Sequence, residues 1–484
     1  MAPAVTLHGS GEVEVTGVSL SSQRVRPGDL YAALPGSRVH GVEFLAGALE
    51  AGAVAVLTDA VGLERMGEPP VPVLVAERPR SVLGQLARTV YGDPASSMRM
   101  IGVTGTQGKT TTTRLAEGAL QDAGVKAAVV GTVGTRIGGR DIKTTLTTPE
   151  APDLHGLFAL MREEEVRACA MEVSSHALVM GRVDGVVFDV AVFLNLGRDH
   201  LDFHETVEDY YRAKASLFTP ERARRALISI DDDHGRRLAA EAPIPVRTFS
   251  ARGADADWTA TDVVLGPDGS DFTVRGPGGV RLRVRCPLPG DFNVSNSLAA
   301  LAAIAEAGLP EPTVEAAAAA LGRSAGVPGR LERIDEGQDF TVVVDYAHKP
   351  DAVQAAIGTL RPLTEGRVIV VLGAGGDRDP GKRPIMGEIA ARLADVLIVT
   401  DDNPRTEDPA AIRAAVLAGT ADGAAEVVEI GDRRAAIAEA VRRAAPGDIV
   451  LVAGKGHETG QEVGGVVHPF DDREVAREVL LTRR

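Results

Sequence analysis

The feature that most narrows the folds open to this chain is a glycine-punctuated turn, GVTGTQGKTTTT at residues 102–113, between stretches of opposite character. MIGVTG before it reads as a buried strand. KTTTTRLAEGALQDAG after it carries apolar residues at helical spacing. A strand, a Gly turn and a helix in that order aim backbone N–H groups at an anion, with the helix N-terminal dipole behind them. In this reading Thr104, Gly105, Thr106, Gln107, Gly108, Lys109 and Thr110 hold a nucleotide. Lys109 contacts the terminal phosphates and Thr110 offers its hydroxyl to Mg2+. The general phosphate-loop spacing needs glycine at 103, where the chain has Val103. The competing reading, a Gly-rich turn with a solvated lysine, is disfavoured by the flanking strand and helix.

Buried strands recur at AAVVGTV, RACAMEV and DVAVFLNL, separated by helical segments, which predicts a parallel sheet covered by helices. Residues 258–289 change character: WTATDVVL, DFTVRG and VRLRVRC are short alternating strands, expected as an antiparallel meander. From about Val327 five strands (FTVVVDYA, RVIVVLGAGG, DVLIVTDDN, EVVEIGD, DIVLVAGKG) alternate with helices, predicting a smaller doubly wound sheet with ligands beyond its strand ends. The expected class is α/β with three domains: a small αβ domain over 1–95, a central phosphate-loop parallel sheet with a meander over 96–326, and a Rossmann-like sheet over 327–484. A chain of 484 residues is too long for one ordinary core. Aromatics are only 4%, so the cores must be built from Val, Leu, Ile and Ala.

A formal charge of −15 disfavours nucleic-acid binding, so an anionic ligand must meet locally placed cations or helix ends. Cys169 and Cys286 lack metal-binding spacing and suggest a reducing compartment. No basic-then-apolar leader and no bilayer-length apolar run is visible, so a cytoplasmic protein without membrane insertion is expected.

Several further segments sit just beyond strands. Glu172 in MEVSSHAL is a hard oxygen donor of the kind Mg2+ takes, and His200 in FLNLGRDHLDFH follows another buried strand. Read singly, Glu172 is equally a capped carboxylate, His200 a satisfied loop histidine, and Lys214 in YYRAKASLF a surface lysine on an amphipathic helix. Asn293 and Asn296 in PGDFNVSNSLAA can meet a base edge, and Asn293 can equally cap a helix. Arg330 in PGRLERI and Asp345 and His348 in VDYAHKPDA lie near the third unit's start. GAGGDRDPGKRP fails a dinucleotide fingerprint because Arg378 stands at its third glycine. DDNPRTEDP at 401–409 reads as an Asn-Pro turn after a strand.

Together these segments resemble the Mur ligase family, whose form of the phosphate loop is GxTGTxGKT; Gln107 stands where the family has Asn, and Leu194 replaces a small polar residue. The resemblance implies an ATP-dependent amide-bond ligase that extends a UDP-linked peptidoglycan precursor by one amino acid, through an acyl phosphate. It assigns Thr110, Glu172 and His200 to Mg2+, with Lys109 and Lys214 catalytic and Lys214 carbamylated into a further metal ligand. Asn293, Arg330 and Asp345 join the loop around ATP. Leu20, Ser22, Ser37, Arg38 and Val39 match the UDP-sugar region, where Ser21 replaces a usual Asp. Thr147, Thr148, Ser174 and Arg182 match contacts to the rest of the precursor, a UDP-linked muramoyl dipeptide. Asp402, Asn403, Pro404 and Arg405, with Arg378, Gly454 and Glu458, match the amino-acid pocket in its diaminopimelate form, in a monomer.

The physical logic of that form is clear. Diaminopimelate differs from lysine by one distal carboxylate, which a guanidinium binds through two parallel bonds, and an unpaired Arg405 would penalise lysine. Lysine addition is the nearest alternative. Folylpolyglutamate synthesis is opposed by the N-terminal segment and DNPR, and a phosphate-loop hydrolase or switch would leave the amino-acid pocket without purpose.

Overall fold

The computed structural model describes residues 5–9, 12–144, 146–197, 199–200, 203–266, 269–323 and 326–483. Their contacts group into two compact units: 1–261, 273–283 and 295–321 in one, and 262–272, 284–294 and 322–484 in the other.

The chain opens with a five-stranded sheet in the order Val5–His8, Val73–Ala76, Ala55–Thr58, Asp29–Ala32, Gly17–Ser19. All pairs are parallel except the first. Alternation in a strand sends Leu30 and Ala32 to one core and Tyr31 and Ala33 to the other, so both faces are covered.

The phosphate-loop strand Arg99–Thr104 lies inside an eleven-stranded sheet. Its parallel centre runs Val246–Ser250, Ala226–Ser229, Val190–Phe193, Arg99–Thr104, Ala168–Glu172, Ala127–Gly131. Such strands are buried on both faces, which is why they read as unbroken apolar runs. The expected meander takes one edge, as Trp258–Gly266, Gly269–Arg275 and Arg281–Cys286. Its first strand differs from expectation, pairing parallel to Val246–Ser250. At the other edge an antiparallel ribbon, Gly134–Ile137 and Arg140–Ile142, was not foreseen.

The second unit holds a six-stranded sheet in the order Glu332–Ile334, Thr341–Asp345, Ile449–Ala453, Val368–Leu372, Val396–Val399, Glu426–Glu429. The five expected strands are parallel, and Glu332–Ile334 adds an antiparallel edge. Val343, Val370, Leu397 and Leu451 face helices Pro350–Leu360 and Lys382–Leu393. Val342, Ile369, Ile398 and Val450 face Arg433–Arg443 and Asp472–Arg483. A small hairpin, Gly460–Val463 with Val466–Pro469, follows the last sheet strand.

Cys169 and Cys286 are buried thiols not joined in a disulfide, and burial pushes Cys169 up to about 12. Among the described residues no helix is long and apolar enough to cross a membrane.

Candidate active site

The strand Arg99–Thr104 ends in the Gly-rich turn, and helix Lys109–Asp122 starts directly after it. Gly108 is required twice over: its φ is +86°, and a Cβ there would lie 2.4 Å from the Asn296 side-chain oxygen. The turn is braced from the segment after strand Val190–Phe193. Thr106 donates its N–H to the Asn195 carbonyl at 3.0 Å, and Gln107 donates to Asn195 Oδ1 at 3.0 Å. Asn195 Nδ2 returns a bond to the Gln107 carbonyl at 3.2 Å. Lys109 Nζ reaches back to the carbonyls of Gly105 at 2.8 Å and Thr106 at 3.1 Å, so its ammonium lies over the loop. The Thr112 hydroxyl meets Asn296 Oδ1 at 3.4 Å, which puts Asn296 against the helix that the loop starts.

Lys214 lies at the same place. Helix Val207–Ala215 starts three residues before the expected one, at a Thr206 cap. It carries Lys214 inward until 1% of the residue is exposed. Its Nζ donates to the Gly105 carbonyl at 2.8 Å and sits 4.5 Å from the Tyr210 ring centre. Burial, reinforced by the Lys109 charge and opposed by Asp199, drives its basicity well below the ordinary lysine value. A surface role for Lys214 is thereby ruled out.

Glu172 ends strand Ala168–Glu172 in register with Val103 and is 1% exposed. Both its oxygens are held by Thr132, whose N–H donates to Oε1 at 2.7 Å and whose hydroxyl donates to Oε2 at 3.1 Å. The Thr132 hydroxyl is also 3.1 Å from that of Thr147. Thr148 donates to the Glu172 carbonyl at 2.8 Å and accepts from the Ser174 N–H at 3.3 Å. Ser174 caps the following helix. The fold therefore gathers Thr147, Thr148, Glu172 and Ser174 around one strand end. Arg182 stands beside them, donating to the Thr148 carbonyl at 3.3 Å and to Glu150 at 2.8 Å. Glu150 also accepts from Arg80 at 2.7 Å, tying the N-terminal helix Pro79–Val90 to this corner.

His200 has φ +53° and donates its N–H to Asp199 at 2.8 Å; its ring lies 4.9 Å from that of His176 and 6.0 Å from Tyr210. Arg198, Leu201 and Asp202 of that segment lie outside the described residues. Among the described residues no group of three or more His, Cys, Asp or Glu side chains forms an ion cage. The oxygens of Glu172 and Thr110 are nonetheless the hard donors that Mg2+ prefers. The buried hydroxyl of Thr104, at the start of the loop, has no protein hydrogen-bond partner, as a site receiving a polar ligand would leave it.

In the N-terminal sheet Leu20 and Ser22 are half-buried, Ser22 opening a short 3-10 helix; Ser37, Arg38 and Val39 lie on an exposed loop closed by the Gly41 N–H on the Leu34 carbonyl at 2.8 Å.

In the second unit the expected pocket residues converge beyond the strand ends. Arg405 has φ +55°. Its N–H donates to the Glu462 carbonyl at 2.9 Å, and its carbonyl accepts from Gly464 at 2.6 Å, so the hairpin grips it as a strand would. Its guanidinium bonds the Gly376 carbonyl and lies 3.5 Å from Glu462. Asn403 donates to Glu458 at 2.8 Å and accepts from Lys455 at 3.0 Å and the Glu462 N–H at 3.0 Å. Gly454 has φ +121°, and a Cβ there would lie 2.3 Å from Asp402. Pro404 is buried, with its carbonyl against Gly376, whose N–H donates to the Asn403 carbonyl at 2.9 Å. Arg378 is exposed on that same loop.

Arg330 lies with its guanidinium 4.8 Å from the Tyr346 ring centre, and Asp345 accepts from the Leu331 N–H at 2.7 Å. Burial raises the Asp345 carboxyl. His348 is pushed down to about 4, chiefly by burial, while its bond to the Tyr346 carbonyl at 2.7 Å acts the other way. Asn293 is buried inside the first turn of helix Asp291–Glu306 and donates its amide to the Pro289 carbonyl at 2.8 Å, a contact that differs from the helix cap expected of it.

This geometry is shared. Three family descriptions match successive parts of the chain: Mur ligase family, catalytic domain, over 14–91; Mur ligase middle domain over 103–304; and Mur ligase, glutamate ligase domain, over 329–456. The chain belongs to the Mur ligase family. The UDP-N-acetylmuramoyl-L-alanyl-D-glutamate–2,6-diaminopimelate ligase of Streptomyces coelicolor is 55% identical over 97% of this chain and 93% of its own length. A solved structure of a ligase with that same designation is 34% identical, with a TM-score of 0.68 over 97% of this chain and 95% of that one. The fold extends to the MurF ligase of Thermotoga maritima in complex with ADP, at 21% identity and a TM-score of 0.63, covering 97% and 99%.

As a Mur ligase the chain is an ATP-dependent acid–amino-acid ligase, built on the three-sheet α/β architecture described above. Several residues of this Mur ligase's site escaped sequence reasoning. Thr132, Asn195, Tyr346, Lys455 and Glu462 each touch an expected residue, but through contacts that no spacing encodes. The trace they left is one of position: Thr132 and Tyr346 directly follow strands, and Asn195 and Lys455 stand two residues after strands.

Proposed function

We propose that this Mur ligase adds 2,6-diaminopimelate to the glutamate carboxylate of UDP-N-acetylmuramoyl-L-alanyl-D-glutamate in cytoplasmic peptidoglycan synthesis, dividing its labour among residues 1–95, 96–326 and 327–484. A free carboxylate resists amide formation because oxide is a poor leaving group. Transfer of the ATP γ-phosphoryl to a carboxylate oxygen yields an acyl phosphate and ADP. The amine of diaminopimelate then attacks the acyl carbon, inorganic phosphate leaves with that oxygen, and the nitrogen loses a proton.

Each part of the chain has a role in this. Lys109 moves from the loop carbonyls to the transferring phosphoryl group and stabilises its charge. Bound at Thr110 and Glu172, with His200 nearby, Mg2+ would supply further charge neutralisation on the phosphates. The buried, weakly basic amine of Lys214 is the form that reacts with carbon dioxide, which supports its carbamylation; the product would add a carboxylate to the donor set. Thr147, Thr148, Ser174 and Arg182 orient the precursor, and Leu20, Ser22 and Ser37–Val39 hold its UDP-sugar end. Asn293, Arg330 and Asp345 border the nucleotide.

The observation that carries the choice of amino acid is the clamped Arg405. Its backbone is fixed on both sides by the hairpin, so its guanidinium is presented at little entropic cost to a distal carboxylate. Asn403, Glu458 and Lys455 form the polar wall beside it, with Glu458 suited to an ammonium group. The test is an amino-acid panel (meso- and LL-diaminopimelate, lysine, ornithine) with ATP and the UDP-linked dipeptide. A diaminopimelate isomer should be used far better than lysine; preferred use of lysine would overturn the assignment.

A further inference from the structure

Behind the pocket lies a charged pair that the reaction does not use. Arg433 opens helix Arg433–Arg443, Asp472 opens helix Asp472–Arg483, and both side chains are 0% exposed. The contact is bidentate: Nε to Oδ1 at 2.7 Å and a terminal nitrogen to Oδ2 at 2.7 Å. Burying such a pair gains little stability over apolar residues of the same size, because both charges lose their water. What the pair does have is two further bonds. Arg433 donates to the Ala453 carbonyl at 2.9 Å and to the Asp401 carbonyl at 3.3 Å.

Those two carbonyls are strategically placed. Ala453 ends strand Ile449–Ala453 and immediately precedes Gly454 and Lys455, while Asp401 immediately precedes Asp402, Asn403, Pro404 and Arg405. The two loops touch in front of the guanidinium, where a Cβ on Gly454 would meet Asp402 at 2.3 Å. One planar, always-charged group thus holds both walls of the pocket from behind, and the C-terminal helix holds that group.

We propose that Arg433, anchored by Asp472, is a positioning residue that sets the spacing of the two amino-acid-selecting loops, making the C-terminal helix part of the specificity apparatus. This rests on the assignment of those loops to the incoming amino acid. A guanidinium is suited to the task because its planar fork reaches a carboxylate and two carbonyls at once, which the ammonium of lysine cannot do in one plane.

The test replaces the pair by apolar residues of similar volume, Arg433→Met with Asp472→Leu, which leaves no buried charge unpaired. The Michaelis constants for diaminopimelate, ATP and the UDP-linked dipeptide are then measured on the full-length enzyme. The KM for diaminopimelate should rise about tenfold or more, as expected for a misplaced but intact site, with the other two within about twofold of the parent. A second variant, Arg433→Lys, keeps the buried charges balanced but cannot reach both carbonyls in one plane, and should raise the same constant by about threefold, whether or not the double variant folds. Equal changes in all three constants, or none, in whichever variant folds would overturn the proposal. A parent enzyme that does not use diaminopimelate would instead sink the substrate assignment, so the two failures are distinguishable.

Discussion

At Arg405 and His200 a non-glycine backbone is held at φ +55° and +53°. Such conformations cost on the order of 1 kcal/mol each and persist only where surrounding bonds over-determine them. At Arg405 those bonds come from Glu462 and Gly464, and the strain coincides with the residue given the most selective task. Arg405→Ala should raise the KM for diaminopimelate by about tenfold or more, the loss of one charge-assisted contact, with the KM for ATP near its parent value; steady-state kinetics with each substrate varied would check it. Lys109→Ala should lower kcat by about a hundredfold or more, read as ADP formation, because a charged phosphate contact is lost in the transition state. His348 gives a pH signature. Unfolded, its ring takes up a proton near 6.5, whereas folded it resists protonation down to about 4. Its contribution to stability is therefore full above the upper value and lost as pH falls through that window. Melting temperature should decline from about pH 7 to about pH 5, and His348→Gln should flatten part of that decline. Lys109, Glu172 and Arg405 stood out in the sequence as candidates because each is a chemically capable residue at the end of a buried strand or in the turn that follows one. The contacts of Lys455, Thr132 and Arg433 were not legible, whatever their position beside strands, since each works through partners brought from 3 to 52 positions away.

Elements were legible in proportion to how deeply they are buried. Ala127–Gly131, Ala168–Glu172 and Val190–Phe193 have every residue buried, and their apolar runs announced them. Arg140–Ile142 and Glu332–Ile334 are three residues long and mostly polar, and only their neighbours in the sheet make strands of them. The hairpin Gly460–Val463 with Val466–Pro469 is the instructive omission, since it holds Arg405 by its backbone and sets Glu462 3.5 Å from the guanidinium, and no motif announces either. Gly464 carries φ +59° and donates its N–H to Arg405. Gly464→Pro removes that donor and cannot adopt that angle. It should therefore reproduce the diaminopimelate KM defect of Arg405→Ala while leaving nucleotide binding, measured by calorimetry, unchanged.

For the molecule as a whole, a ligase differs from a hydrolase in what it refuses to do. Phosphate should appear only when precursor and amino acid are both present, and a labelled precursor carboxyl oxygen should emerge in that phosphate. Steady phosphate release from ATP and Mg2+ alone, or unlabelled phosphate, would contradict the acyl-phosphate route. The net charge of −15 is consistent with cations placed locally, at Lys109 and Arg182 in one unit and at Arg405 in the other, rather than spread over a surface. The two cysteines carry a practical consequence. With Cys169 and Cys286 both shut away from solvent, thiol-directed reagents have no native target in the folded protein. A fluorophore could be installed at a cysteine introduced on an exposed position, with no need to strip out the natural ones, and ligand binding followed in real time on an otherwise unaltered chain.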